Sequence, residues 1–93
     1  MARLSIARVR NLVRSLNYVV SLHAAEELED DNLTILDLET IVLSGAIVER
    51  QRDRHTGETK YVVRGATLAG EEAECVVKIG PNGRLFVITV YLD

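Results

Sequence analysis

The sequence predicts an α+β fold: N-terminal helices packed on one face of a four-stranded antiparallel sheet in meander order. Three observations predict it. Apolar residues recur at helical spacing up to about residue 45 and alternate at strand spacing after it. Three short turn signals separate the strand-like runs. Each of the last two runs carries an apolar row on one side, as a sheet covered by helices on a single face requires.

The first helix spans about residues 5–15, with Ile6, Val9, Val13 and Leu16 at helical spacing and Leu12 widening the stripe. Residues 18–20, "YVV", are β-rich and too short for a helix, so they form an extended piece. Ser21 can cap a second helix over 22–30, with Leu22, Ala25 and Leu28 along one side and Glu26, Glu27 and Glu29 toward solvent. Thr34 followed by Asp37 resembles a capping box for a third helix. Leu38, Ile41 and Val42 give that helix its apolar face, and Gly45 stops it. Strands follow at 46–54, 59–68, 72–79 and 84–92. "HTG", "AGE" around Gly70, and "GPNG" with Pro81 at the second turn position connect them.

Alternation divides the sheet into two faces. Phe86, Ile88, Val90 and Leu92 form a wholly apolar row expected to meet the helices, as do Ala73, Cys75, Val77 and Ile79, with Tyr61 and Val63. With those rows inward, the open face collects Arg50, Arg52, Arg54, Lys60, Arg64, Lys78, Thr89 and Tyr91, and Glu74 is the main opposing acid. Two readings stand side by side. Exposed strands carry Arg and Lys against edge pairing; cations with a Tyr and a Thr hydroxyl among them also suit phosphates of single-stranded RNA.

Residues 1–93 read as one domain: an N-terminal helix to residue 16, a helical part to 45 and a sheet from 46. The net charge of −3 hides segregation. Arg3, Arg8, Arg10 and Arg14 make the start basic, residues 26–39 are acidic, and 50–64 are basic again. One cysteine, Cys75, excludes an internal disulfide; inside "AECVVKI" it reads as a buried small hydrophobe before a reactive thiol. One Cys and two His cannot close a structural zinc site, so neither metal nor cofactor is expected. No apolar run reaches the roughly 20 residues of a membrane span. The Arg-studded N-terminus lacks the apolar segment of a signal peptide, which points to a reducing cytoplasm.

The stretches "SLHAAEEL", "TILDLETIVLSGAIVERQRDRHTGETKYVVRG" and "LFVITVY" resemble a widespread family of uncharacterised bacterial and archaeal domains. That family is marked by His-Ala, often Arg-Met, then a capped helix, a G-x-I-V-E strand and a closing T-V-Y. It is distantly similar to the RelE, HigB and MqsR ribonuclease toxins, and its members are often encoded beside a small CxxC zinc-finger protein like the MqsR antitoxin. This chain departs from the pattern at Glu27 and Leu28, where Arg-Met is usual, and at Asp31, where a further Arg often follows. Leu for Met keeps a core volume; the two acids reverse charge on the second helix.

The resemblance implies a toxin-like component of a toxin–antitoxin pair, able to cut single-stranded RNA without metal. Such cleavage needs a base for the ribose 2′-OH, cations for the developing charge and an acid for the leaving oxygen. His23, Lys60, Arg64, Lys78 and Tyr91 supply the catalytic types, and Arg50, Arg52 and Arg54 the phosphate contacts. A small antitoxin-like protein of the CxxC zinc-finger type is the implied partner. The alternative is a non-catalytic interaction module, or a degenerate member that keeps only partner binding. His23 has two readings as well: a structural histidine at the sheet edge, or a neutral base favoured by the helix N-terminus. His55, in the turn, reads as exposed and inert.

Overall fold

The computed structural model describes residues 4–93; Arg3 of the basic stretch lies outside them. Ser5 caps α1 (Ile6–Arg14), its Oγ accepting the Arg8 amide, and the helix buries Val9 and Val13. A Schellman turn closes α1: the Leu16 amide bonds to Val13 O and the Asn17 amide to Leu12 O. Leu16 therefore holds the left-handed position usually given to glycine, at φ 58°, with its side chain 70% exposed. Leu16→Gly relieves that strain without removing a packed side chain. It should stabilise the protein by about 0.5–1 kcal/mol, seen as a higher urea midpoint at unchanged m value.

The extended piece is a true strand, β1 (Tyr18–Val20), and it changes the architecture. It pairs parallel to the last strand, β5 (Leu85–Leu92), with Tyr18 opposite Leu85 and Val20 opposite Val87. With β2 (Ala46–Arg52), β3 (Thr59–Ala66) and β4 (Glu72–Ile79) the sheet is five-stranded and mixed, in the order β1-β5-β4-β3-β2. The expected meander is present from β2 to β5, all antiparallel; the expectation of a four-stranded, wholly antiparallel sheet is corrected by the parallel edge strand.

Tyr18 also reaches across to the third helix, where its hydroxyl donates to Glu39 Oε2 at 2.6 Å. Burial, first, and this carboxylate push the phenol up to about 12. A group whose folded pKa is raised adds stability that is whole below its unfolded value, about 10, and is lost as pH climbs through the folded one. Stability should thus fall between pH 10 and 12, and Tyr18→Phe should flatten that fall in denaturant titrations at stepped pH.

Ser21 caps α2 (Leu22–Asp30), accepting the Ala24 amide at 3.0 Å while donating to Ile88 O at 2.9 Å. That anchor sets the helix rotation. The buried stripe is Ala24 and Leu28, whereas Leu22 and Ala25, expected inward, are exposed. In α3 (Ile35–Ser44) the capping box is complete: the Thr34 amide donates to Asp37 Oδ2 and the Asp37 amide to Thr34 Oγ1. Asp37 Oδ1 also takes the Leu68 amide, tying the helix start to the β3–β4 turn, and these backbone bonds hold its carboxyl below the usual range.

The helices share one core with one sheet face. Val9, Val13, Ala24, Leu28, Leu38, Ile41 and Val42 meet Val63, Ala73, Cys75, Val77, Leu85, Val87 and Val90. At its C-terminal end α3 lies so close to β3 that a Cβ on Gly65 would run into the Ile41 carbonyl oxygen. Beyond the start of β2, the Ser44 hydroxyl accepts the Ala66 amide at 3.0 Å.

Two β-bulges overturn part of the expected faces, in β5 and β2, while β3 and β4 keep them. In β5, Val87 pairs with Val77 and Thr89 with Val76, leaving Ile88 extra. Leu85 and Val87 therefore point inward before the bulge, and Val90 and Leu92 after it. Phe86, expected in the core row, lies on the open face under the Lys78 ammonium, 5.6 Å from its ring centre. In β2, Ile47 pairs with Val63 and Glu49 with Val62, leaving Val48 extra. Past it, Arg50 stands opposite Tyr61 and Arg52 opposite Thr59. Opposed residues share a face, so these arginines lie on the helix side, and Glu49 and Gln51 take the open face.

Candidate functional site

The open face is built by β3, β4 and β5. Arg64 stands opposite Glu74, and Glu74 opposite Tyr91; Val62, Val76 and Thr89 form the next rank, then Lys78 and Phe86. Strand alternation adds Lys60 to this face. The expected Lys60, Arg64, Lys78, Thr89 and Tyr91 are therefore brought together. Arg50 and Arg52 are not with them, because of the β2 bulge, and Arg54 lies beyond the end of β2.

Glu74 is the centre of the cluster. Its side chain is nearly buried, and both oxygens are engaged. Oε2 takes the Arg64 guanidinium, from Nε at 2.7 Å and from Nη2 as well, and Oε1 accepts the Tyr91 hydroxyl. Glu72 and Asp93 lie 3.7 and 3.8 Å from the same Nε. The bond to Glu74 holds the Arg64 pKa above its usual value. The same carboxylate, then burial and nearby acids, push the Tyr91 phenol up to about 12. Glu72 is raised by its hydrogen bond with Asp93, because two carboxyls that close share a proton. Lys78 is spoken for too: its Nζ donates to Glu58 Oε2 at 2.6 Å, which lowers the Glu58 pKa. An open cleft of about 370 Å³, lined by Ser44, Arg64, Gly65, Ala66, Gly70 and Glu72, flanks the cluster.

His23 stands at the rim of this face. It is at the second position of α2, its side chain is 69% exposed, and its Nε2 is 3.4 Å from Glu27 Oε1. That oxygen is committed to the sheet, accepting the Val90 amide at 2.9 Å and the Thr89 hydroxyl. The histidine is thus neither packed in the core nor bonded to a backbone carbonyl. It leans on a carboxylate whose main work is to close the β5 edge past the end of β1. His55 is exposed in its turn.

The sequence reading missed Glu27, Glu58, Glu72 and Asp93 as partners. Glu74 opposite Arg64 was within reach of strand alternation; the others depend on register and on where α2 crosses β5. Among the described residues no group of three His, Cys, Asp or Glu is placed to hold a metal ion, and no helix is long and apolar enough to cross a membrane. Cys75 is fully buried, and burial pushes its thiol up to about 12. It should stay inert to a thiol-specific disulfide reagent until the protein is unfolded.

Helices on one face of a mixed sheet, with an open face of largely paired charges, define a small α+β domain. A family model described as "Domain of unknown function (DUF4258)" matches residues 20–92, and the chain belongs to that family. No curated protein and no solved structure matches it.

Proposed function

We propose that the protein is a toxin-like member of a toxin–antitoxin pair that keeps the fold and the small antitoxin-like partner but acts by binding, without cutting RNA. A RelE-like arrangement is supported by the helices lying on one face of the β2–β5 meander. The observation that carries the reading is the self-neutralised open face. Arg64 is held by Glu74, Glu72 and Asp93, Lys78 by Glu58, and the Tyr91 hydroxyl donates its hydrogen bond to Glu74. A phosphate approaching this face meets the carboxylates of Glu58, Glu72, Glu74 and Asp93 against one cation outside any salt bridge among the described residues, Lys60. Little charge stabilisation is therefore on offer to RNA, and the Tyr91 proton is already committed.

The second reading, a metal-independent endoribonuclease, is favoured by one observation. The exposed His23 imidazole stands beside Glu27, which in turn bonds Thr89, two residues from Tyr91 on the same face. One experiment separates the two. Purified protein is incubated with single-stranded RNA in EDTA, and the gene is expressed with and without its neighbour. Partner binding predicts intact RNA, unimpaired growth and co-purification of a small neighbour-encoded protein. Release of 2′,3′-cyclic phosphate ends, lost in His23→Ala or Tyr91→Phe, would replace it with the ribonuclease.

A further inference from the structure

We propose that the outer edge of β2 docks an acidic, extended segment of a partner protein, which adds to the sheet as a further strand with carboxylates at alternate positions. This rests on the partner-binding reading and names where, and by what chemistry, the partner is held.

The sheet's other edge strand, β1, spans only Tyr18–Val20 and has no outer strand among the described residues either; the remaining sheet ends are closed. β1 covers β5 from Leu85 to Val87, and past it the Ser21 hydroxyl takes Ile88 O and Glu27 takes the Val90 amide. Ser44 closes β3 at Ala66, where β2 has not yet begun. Along Ala46–Arg52, by contrast, β2 pairs with β3 alone, and its outer side has no strand among the described residues. The Asp53 amide bonds to Glu58 O across the hairpin. Antiparallel alternation then turns the backbone N–H and C=O of Arg52 and Arg50 outward, to the open edge.

The side chains beside those backbone groups carry unused charge. Arg50, Arg52 and Arg54 are exposed, and none of them forms a salt bridge among the described residues. The acids of the hairpin are committed elsewhere. Glu49 takes the Gln51 amide on the open face, Glu58 takes Lys78, and Asp53 holds the His55 and Thr56 amides in the turn. A strand laid against β2 places its residues i and i+2 directly across from Arg50 and Arg52, so Asp or Glu at both would be paired. Exposed arginines also guard an edge, and here the guard is selective. A second copy of β2 would set Arg against Arg, whereas an acidic strand finds both its charges and its backbone met. The outward backbone groups favour a polypeptide over RNA, which has no ladder to complete.

The test is a titration of isotope-labelled protein with a short synthetic peptide alternating glutamate and valine, followed by amide shifts and hydrogen exchange. The Arg50 and Arg52 amides should become protected at low salt. Affinity should fall about tenfold for Arg50→Glu or Arg52→Glu, and binding should vanish when the peptide amides that would face β2 are N-methylated. Three results would overturn the site: no binding at low salt, perturbation centred away from β2, or equal binding by the N-methylated peptide. Preferential binding of an oligouridylate at Arg50 and Arg52 would likewise overturn it in favour of RNA. The RNA-cleavage assay judges the partner-binding reading separately, so the two failures are distinct.

Discussion

Gly65→Ala should lower stability by about 3 kcal/mol, the upper range of overpacking penalties, because the added methyl meets backbone and not a movable side chain. The obstacle is the Ile41 carbonyl oxygen in the last turns of α3, with the Ser44 hydroxyl close behind. Relief requires α3 to lift off β3. That would disturb the Ala66 amide held by Ser44 and loosen Ile41 and Val42, both fully buried. A chemical denaturation curve measures the loss directly. A change within about 0.5 kcal/mol, the usual range for harmless surface substitutions, would show that helix and strand are less tightly apposed than described.

Glu74→Gln should alter function more than any other single change on the open face. The glutamine carbonyl can still accept from Tyr91, but the charge on Arg64 loses its main counterpart. Affinity for single-stranded RNA at low salt should rise about tenfold, and its salt slope should steepen by about one, the signature of one newly available phosphate contact. Glu72→Gln in addition should extend the trend. Independently, the Tyr91 phenol should drop from about 12 toward its usual value, which an ultraviolet titration would follow. If the phenol shifts but RNA binding does not, self-neutralisation is not what keeps this face from RNA.

Features set by neighbours in sequence were legible in advance. The Ser21 cap, the Thr34–Asp37 box, the turns at Gly70 and Pro81, and the burial of Cys75 each follow from a few adjacent residues. Pairing between distant segments was not legible. "YVV" reads as extended, but nothing local says that it lies parallel to a strand 67 positions on. The bulges at Val48 and Ile88 fall on good β-formers with no glycine to mark them, so strict alternation put Phe86 inside and Arg50 and Arg52 on the wrong face. Part of the candidate site, Lys60, Arg64, Lys78 and Tyr91, was read correctly as one face. Its neutralisation was not, because Glu58, Glu72 and Asp93 reach those side chains only once register is set.

The parallel pairing of β1 with β5 also bears on the order in which the chain acquires its structure. Tyr18 waits for Leu85, and α2 waits for the Ile88 and Val90 backbone groups that Ser21 and Glu27 hold. On the ribosome the whole helical half therefore emerges before its sheet partner exists. The β2–β5 meander, made of short-range hairpins, can assemble as soon as it is released, whereas closing β1 onto it costs the entropy of a loop spanning most of the chain. Folding should be limited by this late closure, and a chain arrested before β5 should expose the apolar face of α2, whose sheet partner is β5, as a substrate for chaperones would.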